Sequence, residues 1–194
     1  MSKLRPFRID VADDDLADLR LRLSRTRWPD NEPVDDWSQG MPLAYTRDLA
    51  AYWLNGYDWR AREAALNRFE QFLVDIDGLD IHFIHHRSRH PDAFPLLLTH
   101  SWPGSTVEFQ KVIEPLTNPT GFGGRAEDAF HVVCPSLPGY GFSGKPAKIG
   151  WGVGKIAQAW NTLMISLGYH RYGAQGGGWG GAAVTTQIGR NRGR

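Results

Sequence analysis

Two short apolar runs, residues 95–99 and 130–134, constrain this chain more than anything else in it. Neither alternates polar with apolar residues, so neither can show a face to water, and such runs belong to strands covered on both sides, as in the parallel sheets of α/β proteins. Each is followed by a loop rich in Gly, Pro and Ser. Downstream, Val153, Ile156, Ala157, Trp160, Leu163, Met164 and Leu167 recur on one helical face, with Gly168 where a helix-terminating glycine belongs. A short strand over 172–175, a glycine cluster and a helix over 181–188 complete the series. Strands alternating with helices predict an α/β fold with a mostly parallel sheet.

Ahead of this series, residues 72–76 and 80–86 flank Asp77-Gly78 and read as a β-hairpin. The first third reads as helical. Leu16, Leu19 and Leu23 follow an acidic start, and two further helices are expected over 44–54 and 59–72, with no strand signal. Ser105-Thr106-Val107-Glu108 matches a capping box and predicts a helix running towards Pro115. The expected organisation is a helical extension over 1–72 and an α/β domain over 73–194.

Composition narrows the partners. Lys and Arg number 22 against 21 Asp and Glu, a net charge of +1 in 194 residues, so no long-range field would draw in nucleic acid. No apolar stretch approaches the roughly 18 residues of a membrane helix, and charged residues near the start replace a signal-peptide core. A soluble, cytoplasmic chain is expected. Cys134 is the single cysteine, which excludes an internal disulfide; at the end of an apolar strand it reads as a small buried hydrophobe.

Three clusters bear on chemistry. His82, His85, His86 and His90 lie close in sequence, but on a strand His82 and His86 stand about 13 Å apart, too far to share one ion. They are expected to be solvated or at the edge of the core. The segment 176–181, Gly-Gly-Gly-Trp-Gly-Gly, satisfies G-x-G-x-x-G between a strand and a helix. A dinucleotide site would also need an acid about 20 residues later. The alternative is a nucleophile elbow, a tight strand-to-helix turn whose small neighbours let one side chain stand in a strained position. That position is Gly178, which has no side chain. The loop 100–105, His-Ser-Trp-Pro-Gly-Ser, follows the first buried strand and offers the Trp102 N–H as an oxyanion donor, with His100 held by local hydrogen bonds. The Gly/Pro-rich turn 135–143 follows the second.

In order along the chain, Pro6-Phe7 with the Leu16–Leu23 helix, Tyr57-Asp58-Trp59-Arg60, the hairpin around Asp77-Gly78, the loop 100–105, the segment 137–143 and Gln175-Gly176-Gly177 with Trp179-Gly180 together resemble the epoxide hydrolase family of the α/β-hydrolase fold. The similarity is to its microsomal-like branch, which carries a helical N-terminal extension. It implies the N-terminal half of an α/β hydrolase and, by descent, hydrolysis of an epoxide to a vicinal diol without cofactor or metal. In that family an aspartate at the position of Gly178 attacks an epoxide carbon, and a histidine oriented by an acid directs water onto the resulting ester. By the same resemblance the N–H groups of Trp102 and Trp179 form the oxyanion hole, His100 and Pro103 shape the oxyanion loop, and Trp179 also lines the pocket.

The departures shape the expectations. Gly178 replaces the nucleophile, Ser101 stands where the family usually has glycine, and no Asp, Glu or His follows Trp179. The chain is therefore expected to be catalytically inactive, a truncated or frameshifted product lacking lid and C-terminal part. The expected partner is a small apolar epoxide-type ligand. The strand over 172–175 is expected to form an exposed sheet edge, with Trp160, Leu163 and Val184 losing apolar partners, so that the chain associates with itself. A non-catalytic binding or regulatory protein and a relative of the haloalkane dehalogenases are the alternatives.

Overall fold

A computed structural model describes residues 3–191, which form two compact units. Residues 9–65 make up the helical unit: α1 (Asp13–Ser24), α2 (Leu43–Asn55) and most of α3 (Trp59–Leu66). Asp13, Asp14 and Asp15 occupy the first turn of α1, where carboxylates meet the positive end of the helix dipole. Arg60 ties α3 back to this start, donating to Asp13 Oδ1 at 2.6 Å and to the Val11 carbonyl at 2.8 Å. α3 ends earlier than its apolar pattern predicts, because Phe69 is drawn into a core beneath the sheet.

The second unit, residues 1–8 and 66–194, holds a six-stranded sheet ordered β1-β2-β3-β5-β4-β6. Its strands are β1 (Arg5–Phe7), β2 (Gln71–Ile76), β3 (Leu79–His86), β4 (Phe94–Thr99), β5 (Phe130–Pro135) and β6 (Gly173–Gly176). β1 corrects the all-helical reading of the first third: three residues are too short for a period-2 signal, and they become a strand only by pairing antiparallel with β2. β2 and β3 form the expected hairpin, and both turn residues take positive φ, 55° at Asp77 and 79° at Gly78. β3 continues antiparallel onto β5, whereas β4 pairs parallel with β5 on one side and with β6 on the other; the sheet is therefore mixed rather than mostly parallel, because the hairpin and β1 add antiparallel strands to the buried parallel ones.

Strand alternation sorts the core to two faces. Ile81, Phe83, Leu97 and Val133 point to the face covered by α5 (Val153–Ser166) and α6 (Gly178–Asn191), while Ile84, Leu98, Val132 and Cys134 point to the face covered by Phe69 and Ile113. Cys134 is buried and its thiol is pushed up in pKa by burial, as a small hydrophobe should be. Trp160, Leu163 and Val184, expected to lose partners, are buried to within 1% instead. α5 and α6 lie on one sheet face and cover each other's apolar sides. β6 stands at the end of the sheet order, so the edge itself is present among the described residues, but it is only four residues long and contains two glycines.

Helical structure after the first parallel strand also differs from expectation. The Ser105 hydroxyl does cap a short 3₁₀ turn, Thr106–Phe109, by accepting the Val107 N–H at 3.3 Å. The Glu108 carboxylate does not complete a capping box, because Ser101 claims it. A separate helix, α4 (Ile113–Thr117), follows.

Candidate active site

The chain leaves β4 and returns on one side as β5, then crosses to the other side as β6. Crevices at such a reversal, outside the carboxyl ends of parallel strands, are where α/β sheets bind ligands. The loops after β4, β5 and β6 meet there, and they are the three segments singled out in the sequence.

A buried polar network fixes the first two. His100 is fully buried; the Leu137 N–H donates to its Nε2 at 3.0 Å, and its Nδ1–H donates to the Ser101 carbonyl at 2.9 Å. One nitrogen accepts and the other donates, so the ring is neutral, and burial holds its pKa below the ordinary histidine value. It is a clamp between the two loops. Below it, Ser143 Oγ donates to the Ser136 carbonyl at 2.8 Å and accepts the His82 N–H at 3.0 Å. His82 Nδ1 pairs with Ser136 Oγ at 2.8 Å and Nε2 donates to Gln71 Oε1 at 2.9 Å. Burial depresses His82 to a pKa of about 4.

His82 and His85 are therefore neither solvated nor at the core edge. His85 is also buried, its Nε2 lies 3.0 Å from the Tyr169 hydroxyl, and burial together with Arg87 lowers it to about 4. Strand alternation alone does not foresee this, because the partners Gln71, Ser136 and Tyr169 come from other elements. Among the described residues no cluster of three His, Cys, Asp or Glu side chains is placed to hold a metal ion.

The third loop is the turn from β6 into α6. Gly178 begins the helix with φ +57°, the left-handed region that favours glycine, so the chain turns sharply from β6 into α6 at this residue. The glycines around it are required by close approach: a Cβ on Gly181 would sit 2.5 Å from the Thr99 carbonyl and 3.0 Å from that of His100. These contacts let the helix start against the end of β4. The Trp102 nitrogen lies 3.6 Å from the point that a Cβ on Gly180 would occupy, so the Trp102 backbone is brought beside the first turn of α6. The first N–H groups of a helix have no intrahelical partner and carry its positive dipole end. Trp102 itself is half exposed and joins Pro103 through a cis peptide bond. The backbone of Trp179 lies in this first turn, but its side chain is outside the described residues, so its place in a pocket wall is left as the sequence suggested.

One pair escaped the sequence reading. Ser101 Oγ donates to Glu108 Oε1 at 2.8 Å, and the Ser101 N–H points at both Glu108 carboxylate oxygens, 3.2 and 3.3 Å away. Gly104 leaves room for this, since a Cβ there would collide with the Glu108 carboxylate. The only sequence signal was a glycine between an acid and a serine.

The model of the epoxide hydrolase N terminus matches residues 4–109, and that of the alpha/beta hydrolase fold matches residues 95–190. A candidate epoxide hydrolase of Stigmatella aurantiaca is 56% identical over 185 residues, covering 95% of this chain and 42% of that protein. Epoxide hydrolase 1 of Sus scrofa is 38% identical over 191 residues, again covering 95% of this chain and 42% of that protein. The solved structure of Aspergillus niger epoxide hydrolase superposes with a TM-score of 0.85 at 34% identity, covering 96% of this chain and 49% of that one. The chain thus spans about half the length of the relatives it matches, or somewhat less.

Proposed function

Because this chain belongs to the epoxide hydrolase family of the α/β-hydrolase superfamily, we propose that the meeting point of the β4, β5 and β6 loops is the elbow and oxyanion side of an epoxide site that performs no ester chemistry. One observation carries the reading: the turn has the left-handed backbone and glycine packing of a nucleophile elbow, yet Gly178 supplies no atom that can attack carbon. Opening an epoxide through a covalent ester requires a carboxylate whose oxygen bonds to the ring carbon while the C–O bond breaks towards the epoxide oxygen. The Trp102 N–H and the first turn of α6 remain as donors for an oxygen, so a small apolar epoxide or its diol is the ligand class the site fits. This is binding without turnover.

The reading extends to setting. A cytoplasmic chain remains the proposal of the sequence reading; separately, among the described residues no helix is long and apolar enough to cross a membrane. Self-association through the β6 edge is a second expectation, supported by its terminal place in the sheet order.

Styrene oxide tests the central reading. Purified chain should give styrene glycol at the buffer rate, as measured by chromatography, in a preparation free of host hydrolases. Diol formation above that rate, scaling with protein concentration, would overturn the proposal.

A further inference from the structure

Gly178 and Ser101 face each other across the elbow. A Cβ on Gly178 would lie under 3.0 Å from the Ser101 Cβ, closer than real side chains come, and 3.4 Å from both the Ser101 Cα and its Oγ. A rotamer change cannot relieve this, because a Cβ is fixed by its own backbone. Nor is the Ser101 backbone free to withdraw. Its N–H and hydroxyl are both engaged by Glu108, and its carbonyl accepts from the His100 ring, which also holds Leu137. On the other side, Gly178 is held by the approach of Gly181 to the Thr99 and His100 carbonyls.

We infer that Ser101 occupies the volume a side chain at position 178 requires, so that the two positions form a mutually exclusive pair and Ser101, with Glu108 behind it, fills the mouth of the elbow. The functional part of this inference rests on the proposed reading of the turn as a nucleophile elbow; the steric part does not. Its consequence is specific. Placing a carboxylate at position 178 is not sufficient to complete the site, and Ser101 must become glycine as well.

Two double-mutant cycles on the full chain test this. The first uses Gly178→Ala with Ser101→Gly, read by thermal melting. With Ser101 in place, overpacking and the left-handed φ together should lower the Tm by roughly 5–12 °C; in the Ser101→Gly background the overpacking disappears and less than about half of that loss should remain. Ser101→Ala in place of Ser101→Gly should give no relief, because it keeps the Cβ, and this separates the collision from the Glu108 hydrogen bond. Equal losses with Ser101 in place and in the Ser101→Gly background, including failure of both proteins to fold, overturn the inference.

The second cycle uses Gly178→Asp and adds styrene oxide with intact-protein mass spectrometry and peptide mapping. Ser101→Gly/Gly178→Asp should gain the mass of one styrene oxide on the peptide holding residue 178, and Gly178→Asp alone should not. Equal modification of both proteins overturns the mutual exclusion. Coupling in the melts without modification of the double variant leaves the steric pair standing and refutes the elbow reading instead.

Discussion

Acidification should destabilise this fold well before its carboxylates titrate. His82 and His85 are buried and neutral, each with a pKa of about 4 in the folded chain against 6.5 unfolded. A depressed folded pKa means that the unfolded chain takes up the proton first. The stability is therefore fully present above pH 6.5 and is lost progressively as pH falls towards 4. For each histidine, linkage between values of 6.5 and about 4 gives a loss of about 2 kcal/mol at pH 5, or about 4 kcal/mol for the pair. Against a typical total of about 5–15 kcal/mol this is large, and at this chain length it corresponds to a fall in Tm of roughly 8–16 °C. The surroundings agree with the sign: His82 meets Phe7, Phe142, Gln71 and Ser136, while His85 faces Tyr169 and feels the positive charge of Arg87. His86, His100 and His131 are lowered by burial as well and add in the same direction. Circular-dichroism melts at constant ionic strength between pH 8 and 5 read the effect, and the window lies above the ordinary range of Asp and Glu. A Tm unchanged between pH 7.5 and 5, or NMR titration of His82 near 6.5, would show that burial does not hold these histidines neutral.

Two substitutions probe the packing that places the site. Gly181→Ala adds a helix-favouring residue, so propensity alone predicts a gain, but its Cβ would meet the Thr99 and His100 carbonyls; a net loss of about 2 kcal/mol is expected, and a raised Tm would contradict the close approach of α6 to β4. Trp160→Phe removes the buried donor that bonds Thr99 Oγ1 at 3.1 Å and should cost about 2–4 kcal/mol in denaturant melts, part of which Thr99→Val should restore in the double variant by removing the orphaned hydroxyl. Strict additivity of those two changes would show that the bond contributes nothing.

The architecture was legible where period and punctuation agreed. The runs at 95–99 and 130–134, the hairpin turn at Asp77-Gly78 and the face of α5 from Val153 to Leu167 all carry local signals, and all appear where they were read, although Pro95, Leu96, Phe130 and His131 are only partly buried. The tight turn from β6 into α6 was legible too, because a left-handed residue and a helix packed on a strand end leave glycines in the sequence. What stayed hidden depends on partners distant in the chain. β1 exists only through β2, and the burial of His82 depends on Gln71 and Ser136. Glu108 fits a capping box by spacing and serves Ser101 in fact, because both arrangements satisfy a carboxylate and only the fold decides between them. Exposure of Trp160, Leu163 and Val184 was expected from the loss of neighbours beyond β6, whereas α5 and α6 shield each other.

The proposed elbow at Gly178 lacks the atom that forms the ester, and this absence can be tested on the unaltered chain. The most direct measurement is the mass of the tryptic peptide spanning Tyr172 to Arg190 after prolonged exposure of the unaltered chain to excess styrene oxide at neutral pH. The expected result is an unmodified peptide with residue 178 unchanged. An adduct of one styrene oxide within that peptide would contradict it, because some group of the elbow would then have attacked the epoxide carbon.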